Sequence, residues 1–336
     1  MKKFLFTADW HLDGYSNDKI DQTTGFSERL TDIKNTIYNM GDYCRQNNIE
    51  NFIIGGDLLH GKSRIHALAL SVLLDFFRSN KNINFYVIDG NHDLSTRGRE
   101  YVSALKALDN EPNINRIKKT KIINNIVFVP YCSTMIDDIK NNSGKILISH
   151  FGLNEGMLNS GISIVSDLAM KDLKNYEICL LGHYHKPQEI SRENTSVFYV
   201  GSPTELDWGE KNEEKRFLVV DMEKNTIESV QTKGFRKHIE LEINNENKNI
   251  IIETAKKLKD EGHYIQLKKI ENVETDDLKN DFRIIDKTTK DITNRGISSS
   301  MTIEEKLKKY LEIREIQDME EFLECAKNII SKTGEE

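Results

Sequence analysis

The chain has 336 residues, 38% of them hydrophobic and 30% charged, with a formal net charge of −7. That length supports a sizeable core and more than one domain, and the composition excludes a disordered chain. The excess of acid argues against coating nucleic acid by bulk charge, while leaving room for a local basic groove or a metal site that receives phosphate.

The four cysteines, Cys44, Cys132, Cys179 and Cys325, show no CxxC spacing and read as small buried hydrophobes of a reducing compartment. No apolar run reaches the roughly 18 residues of a membrane span. The opening Met1-Lys2-Lys3-Phe4-Leu5-Phe6 mimics a signal peptide only until Asp9. The expectation is a cytoplasmic protein without membrane contact.

Lys3 to Thr7 reads as a first strand, ending in Ala8-Asp9-Trp10-His11. A carboxylate and an imidazole two apart can turn toward one ion. Residues 14–26 are polar and punctuated by glycine, a loop. Ser27 then caps a helix whose stripe Leu30, Ile33, Ile37, Met40, Cys44 has helical spacing. Phe52-Ile53-Ile54 is a buried strand leading into Gly55-Gly56-Asp57-Leu58-Leu59-His60. Its glycines permit close approach, and Asp57 stands at a strand's C-terminal end, where open α/β sheets bind ligands. A helix over about 64–78 is apolar around most of its circumference, from Ile65 and Leu68 through Leu70 and Leu74 to Phe77. Such a helix is either deeply buried in the monomer or part of a dimer contact.

Phe85 to Ile88 is a third strand, ending in Asp89-Gly90-Asn91-His92-Asp93. Arg97 and Arg99 follow in a loop before a helix to about Leu108. The basic cluster Arg116, Lys118, Lys119, Lys121 reads as a solvated edge rather than a DNA contact. Strands at Ile126–Pro130 and Ile146–Ser149 bracket a short helix, and the second delivers His150. Gly152 to Gly161 is a loop able to overhang the site. Glu177–Leu181 is a strand ending in Gly182-His183-Tyr184-His185, and Val197–Val200 leads into Gly201-Ser202-Pro203.

Past Gly209 the composition shifts. Lys211-Asn212-Glu213-Glu214-Lys215 is a charged linker or a hairpin into Arg216–Met222. Strands near 226–232, 238–243, 264–270 and 282–286, with a helix near 248–261, make an α/β module, and 287–300 is a polar linker. In the tail, Thr302 and Glu305 form a capping box before Ile303, Leu307, Tyr310 and Leu311, and Asp318 with Glu321 starts a second amphipathic helix. With 10 acidic against 6 basic side chains in 301–336, the tail suits a protein groove better than DNA. A hairpin folded back on the core remains the alternative.

Asp9, His11, Asp57, Asn91, His92, His150, His183 and His185 all fall just past strand ends. Five segments thus deliver nitrogen and oxygen ligands and no thiolate, a set that suits manganese, iron or zinc in a two-metal hydrolytic centre.

These motifs carry a resemblance. DxH, GDxxH, GNHD, a lone His and GHxH, in that order across residues 9–185, resemble the calcineurin-like metallophosphoesterase superfamily. Within it, Gly56-Asp57-Leu58-Leu59-His60 and Tyr199-Val200-Gly201-Ser202-Pro203, with Trp208-Gly209-Glu210 beyond, are similar to the SbcD-type double-strand-break repair nucleases. The resemblance implies an α/β fold, a metallophosphoesterase β-sandwich flanked by helices, with a small α/β capping domain and a C-terminal helical pair. It implies a nuclease domain at 1–210, a DNA-positioning capping domain at 211–290, and an ATPase-binding helical module at 301–333.

Carried over by position, Asp9, His11, Asp57 and His185 would hold one Mn2+, and Asp57, Asn91, His150 and His183 the other, with Mg2+, Fe2+ or Zn2+ as alternatives. His92 would be the proton donor, Asp93 would orient its ring, and His60 would contact phosphate, unless His60 only caps the next helix. The implied activity is 3′→5′ exonuclease and endonuclease action on double-stranded DNA ends, in DNA repair, recombination and replication. The implied partners are an SbcC-type coiled-coil ATPase and a second copy of the chain, in a bacterial or phage-infected cell. The alternatives are a phosphodiesterase or phosphatase for small esters, and a scaffold whose metal site has decayed.

Overall fold

Alternation along the strands decides the architecture. β1 (Lys3–Thr7) turns Phe4 and Phe6 to one face and Leu5 to the other, and all three are fully buried. A strand buried on both sides needs a layer on each. The computed structural model describes residues 1–62, 64–95, 102–158, 161, 163, 165–286, 301–313, 322, 323 and 326. The chain divides into two units, Met1–Ile239 with Asp260–Tyr264, and Glu240–Lys259 with Ile265–Glu336.

In the first unit, β1 is followed by β2 (Asn51–Ile54), β3 (Asn84–Ile88), a small hairpin of β4 (Leu94–Ser95) and β5 (Val102–Ser103), and β6 (Ile114–Ile117). Then come β7 (Lys121–Ile123), β8 (Ile126–Val129), β9 (Gly144–His150), β10 (Tyr176–Gly182), β11 (Gln188–Arg192), β12 (Thr195–Tyr199), β13 (Arg216–Asp221) and β14 (Thr226–Gln231). They form two six-stranded sheets, ordered β14-β13-β1-β2-β3-β6 and β11-β12-β10-β9-β8-β7. The central strands of each sheet run parallel.

Phe4, Phe6, Ile53 and Ile88 of the first sheet meet Phe128, Ile146, Ile148 and Leu180 of the second in one core between the sheets. On the outer face of the first sheet, Leu5, Phe52, Ile54 and Phe85 pack under α1 (Glu28–Gln46) and α2 (Ala67–Ser79). On the second, Leu147, Cys179 and Leu181 pack with Met135 and Ile139 of α3 (Met135–Asn141). The result is the expected sandwich flanked by helices.

Ser27 caps α1, its Oγ accepting from the Leu30 amide, and the stripe Leu30, Ile33, Ile37, Met40, Cys44 is buried as its spacing predicts. α2 begins at Ala67 rather than near 64, with His66 in extended conformation at its N-cap. Leu68 and Leu74 are partly buried against the same core as Phe76 and Phe77, so most of the broad apolar surface is used within the monomer. The helix expected to end near Leu108 is a single 3-10 turn, Ala104–Leu108, capped by Ser103. Arg97 and Arg99 lie outside the described residues. In the basic cluster, Arg116 is an inward-held ion pair with Asp89 (2.8 Å) and Asp109 (3.1 Å), and Lys118 pairs with Asp109 at 2.6 Å.

β13 and β14 correct the expected division at 210/211. The strands at 216 and 226 extend the first sheet, with β13 antiparallel to β1, because Leu218 and Val220 fill the space between the sheets while Phe217 and Val219 face the helices. The second unit holds most of a three-stranded sheet of β15 (His238–Ile243), β16 (Tyr264–Lys269) and β17 (Arg283–Asp286), with α4 (Lys248–Asp260) and α5 (Ile303–Ile313); His238, Ile239, Asp260 and Tyr264 count with the first. α5 starts at the expected capping box: the Glu305 amide donates to Thr302 Oγ1 and the Thr302 amide to Glu305 Oε2. The second tail helix falls largely outside the described residues; Phe322, Leu323 and Ala326 are helical. Among the described residues no helix is long and apolar enough to cross a membrane.

Candidate metal centre

Every ligand-bearing segment leaves the C-terminal end of a parallel strand. The exits of β1 and β2 run side by side, with the Asp9 amide donating to Gly56 O and the His11 amide to Asp57 O, both at 3.0 Å. Asp9, His11, Asp57 and His183 have φ of 56°, 49°, 53° and 98°, a left-handed backbone that costs energy for any residue with a Cβ. Such strain gathers at functional sites. Gly90 is required by contact: a Cβ there would fall 2.2 Å from Asp57 Oδ1.

Two groups of side chains share Asp57. On one side, His11 Nε2 lies 3.6 Å from Asp57 Oδ2 and 3.0 Å from His185 Nε2, with Asp9 close enough to His11 and His185 to hold the same ion. On the other, His150 Nε2 is 3.3 Å from Asp57 Oδ2 and 3.1 Å from Asn91 Oδ1, and His183 Nδ1 is 3.1 Å from the same amide oxygen. Asp9, His11, Asp57 and His150 are buried, while Asn91, His183 and His185 are half-exposed at the rim. All seven expected ligands converge.

The donor chemistry fits cations. His150 Nδ1 lies 2.8 Å from the Gly55 carbonyl and His185 Nδ1 lies 2.8 Å from Glu210 Oε1, so both rings carry their proton on Nδ1. Their Nε2 atoms then point at acceptors, Asp57 and Asn91 for His150 and His11 for His185, where a second proton or a metal can sit. The cluster calls for positive charge, and an oxygen–nitrogen set without thiolate suits a divalent metal in that place.

The electrostatics call for positive charge beside Asp57. Burial, with His150 nearby, pushes His183 down to about 3, and burial holds His11 well below the usual histidine range, so both rings are neutral donors. Burial would lower His150 too, yet Asp57 and Asp9 overturn that and raise it to about 9, so before a metal binds its Nε2 holds a second proton that the metal would displace. Burial would likewise raise Asp57, and His150 and His11 instead hold it below the usual carboxylate range.

The remaining predicted residues sit at the same mouth. His60 is exposed, its Nδ1 3.3 Å from His11 Nδ1, and it does not cap α2, whose cap is His66. His92 stacks on His60 with ring centroids 5.4 Å apart, and its Nδ1 lies 2.8 Å from the His60 carbonyl. The expected role of Asp93 as orienter of the His92 ring is therefore corrected. Asp93 is fully buried and accepts from three amides instead: Asp57 (2.7 Å), Gly90 (2.9 Å) and Leu59 (3.0 Å). It ties the second and third ligand loops together. His11, His60 and His92 also come close enough to share an ion. A third ion there would need both nitrogens of His11 at once, so the trio is better described as hydrogen-bonded.

Two residues were not singled out by sequence. Glu210 orients His185, and Lys215 pairs with Glu210 at 2.6 Å with its side chain wholly buried. Burial would raise Glu210, and His185 and Lys215 hold it down at about 2. The Trp208-Gly209-Glu210 stretch was a visible signal, but a role for its glutamate was not. Beside the centre lies a cleft of ≈ 440 Å³ lined by Asp13, Tyr15, Arg29, His60, His66 and His185 among others.

Comparison with known proteins gives concordant findings. The family model for calcineurin-like phosphoesterases matches residues 2–187. The chain is 24% identical over 307 residues to a subunit of nuclease SbcCD from Staphylococcus epidermidis, covering 79% of this chain and 78% of that protein. It is 24% identical over 245 residues to exonuclease subunit 1 of Enterobacteria phage T4, covering 68% and 67%. A putative phosphoesterase, 244L, of Invertebrate iridescent virus 6 is 26% identical over 236 residues, covering 65% and 76%.

Proposed function

The chain belongs to the calcineurin-like phosphoesterase family, and from that premise we propose that it is a manganese-dependent nuclease cutting DNA phosphodiester bonds at duplex ends, as exonuclease and endonuclease. The observation that carries this reading is the sharing of Asp57, whose Oδ2 is within 3.6 Å of His11 Nε2 and 3.3 Å of His150 Nε2. Asp9, His11, Asp57 and His185 would hold one metal, and Asp57, Asn91, His150 and His183 the other. When bound, such a pair acidifies a water and neutralises the oxygens of an in-line phosphoryl displacement.

The chain's own residues supply the rest. With Nδ1–H of His92 spent on the His60 carbonyl, Nε2 is the atom that carries a proton to the leaving oxygen. His11, whose Nε2 would face the first metal, would donate Nδ1–H to His60 Nδ1, leaving His60 Nε2–H to meet a phosphate oxygen. The ≈ 440 Å³ cleft is in the size range of ligand sites and has room for the nucleoside beside the scissile phosphate.

The relatives' names, nuclease subunit and exonuclease subunit, favour DNA over a small ester and favour work within a complex. In this reading the unit around β15–β17 positions DNA, the tail from residue 301 docks on an SbcC-type ATPase, and the chain dimerises. The deciding experiment incubates the full chain with manganese on duplex DNA ends and, in parallel, on an aryl phosphodiester. Cleavage of DNA lost in Asp57→Ala supports the proposal; hydrolysis of the aryl ester with intact DNA overturns it.

A further inference from the structure

Lys215 ends the charged run Lys211-Asn212-Glu213-Glu214-Lys215, a stretch that should face water, yet its side chain has no exposed surface. Its Nζ is 2.6 Å from Glu210 Oε2, 3.0 Å from Glu213 Oε2, 2.9 Å from Ser202 Oγ and 3.2 Å from the His185 carbonyl. Glu210 in turn presents its other oxygen, Oε1, to His185 Nδ1 at 2.8 Å. One ammonium thus grips His185 twice, directly at the main chain and through Glu210 at the ring. The grip falls on His185 alone among the expected ligands. The second group has a different anchor, the Gly55 carbonyl on His150.

A carboxylate behind a metal-binding imidazole fixes its tautomer and aim and raises its basicity. Here that carboxylate is held by a buried ammonium, which keeps Glu210 ionised and fixes where its Oε1 points. We propose that Lys215, acting through Glu210, is a positioning residue for His185 and sets the strength of the first metal position independently of the second. This rests on the two-metal reading above and adds to it a cause for unequal affinities.

The test is a Mn2+ titration of the full chain by calorimetry, read together with electron paramagnetic resonance, which separates an isolated Mn2+ from a coupled pair. The wild type should take two ions and show the coupled signal. Lys215→Met should keep one ion at wild-type affinity, hold the other about 10–100-fold more weakly, and show isolated Mn2+ over that range. Should the lone Glu210 charge prevent Lys215→Met from folding, the double variant Glu210→Gln/Lys215→Met removes both charges at nearly constant shape. It should show the same split. A folded variant with both positions at wild-type affinity overturns the inference, as does equal weakening of both, which would mean general loosening. A wild type that binds no manganese would overturn the two-metal reading and this inference with it.

Discussion

The Nε2 atoms of His11 and His185 lie 3.0 Å apart, although the two residues are separated by 174 positions. With one His185 proton held on the Glu210 side, the gap between the two Nε2 atoms takes a second proton before metal binds and would take the metal itself when it does. Chelation should therefore lower the melting temperature and added Mn2+ restore it. At about 100 times the dissociation constant, each bound ion stabilises by about 2.7 kcal/mol. Scanning calorimetry with and without chelator checks this, and an unchanged melting temperature would refute it.

His92→Ala should retain both metals while cleavage drops by roughly 10²–10⁴-fold, the usual worth of a general acid. Its ring faces the His60 carbonyl, whereas its backbone amide donates to Asp57 Oδ1 at 2.8 Å and survives the substitution. Asp57→Ala should lose both metals. Elemental analysis separates the two, and loss of an ion from His92→Ala would mean that the ring is a ligand.

Asp93 accepts three amides, and an amide side chain in its place turns an NH2 toward at least one of them. Asp93→Asn should cost about 1–3 kcal/mol for the unsatisfied donor and loosen both loops. Denaturant unfolding reads the loss. A variant as stable as the wild type would show that the three bonds do not matter.

Glu210 gives a pH prediction. Its folded pKa, about 2, lies below its ordinary 4.5, so the unfolded state binds the proton more readily. The stabilisation is fully present above 4.5 and is lost as pH falls from 4.5 toward 2. It is on the order of 3 kcal/mol if the unfolded value is ordinary. Glu210→Gln should flatten the fall in melting temperature across that window. Parallel curves for the two proteins would dismiss the ion pair as its source.

Leu70 is half-buried on α2 and is not among the residues packed on the helix-side core, unlike Leu68 and Leu74. If the outward face of α2 meets a second copy, Leu70→Glu should give a folded monomer that still cuts a simple phosphodiester. Light scattering decides it. A monomeric wild type at micromolar concentration would end the dimer proposal.

That the candidate ligands come together was legible in the sequence because each follows a strand whose apolar run is unmistakable, as Phe52-Ile53-Ile54 before Asp57 and Cys179-Leu180-Leu181 before His183. The cap and stripe of α1 were legible for the same local reason. The edges were not. β6, β7 and β11 carry charged residues such as Arg116, Lys121 and Arg192, and short polar strands leave no clear alternation. That β13 lies beside β1 is a long-range pairing that no window of sequence contains. Lys215 was illegible for a sharper reason: periodicity separates apolar from polar positions, and cannot tell a solvated charge from one folded beneath a histidine.

The distribution of ligands along the chain has a consequence for synthesis. Asp9 and His11 emerge first, but the pocket they open needs Asp57 and Asn91, then His150, and only at the end His183 and His185, whose anchor Lys215 is later still. The Asp9 carboxylate accepts the His183 amide at 3.0 Å, a closure across 174 residues that cannot form while the intervening strands are missing. Pairings so distant in sequence also make folding intrinsically slow. A chain growing from its N-terminus therefore cannot bring these residues together until both sheets are complete, and partly made copies lack the cluster.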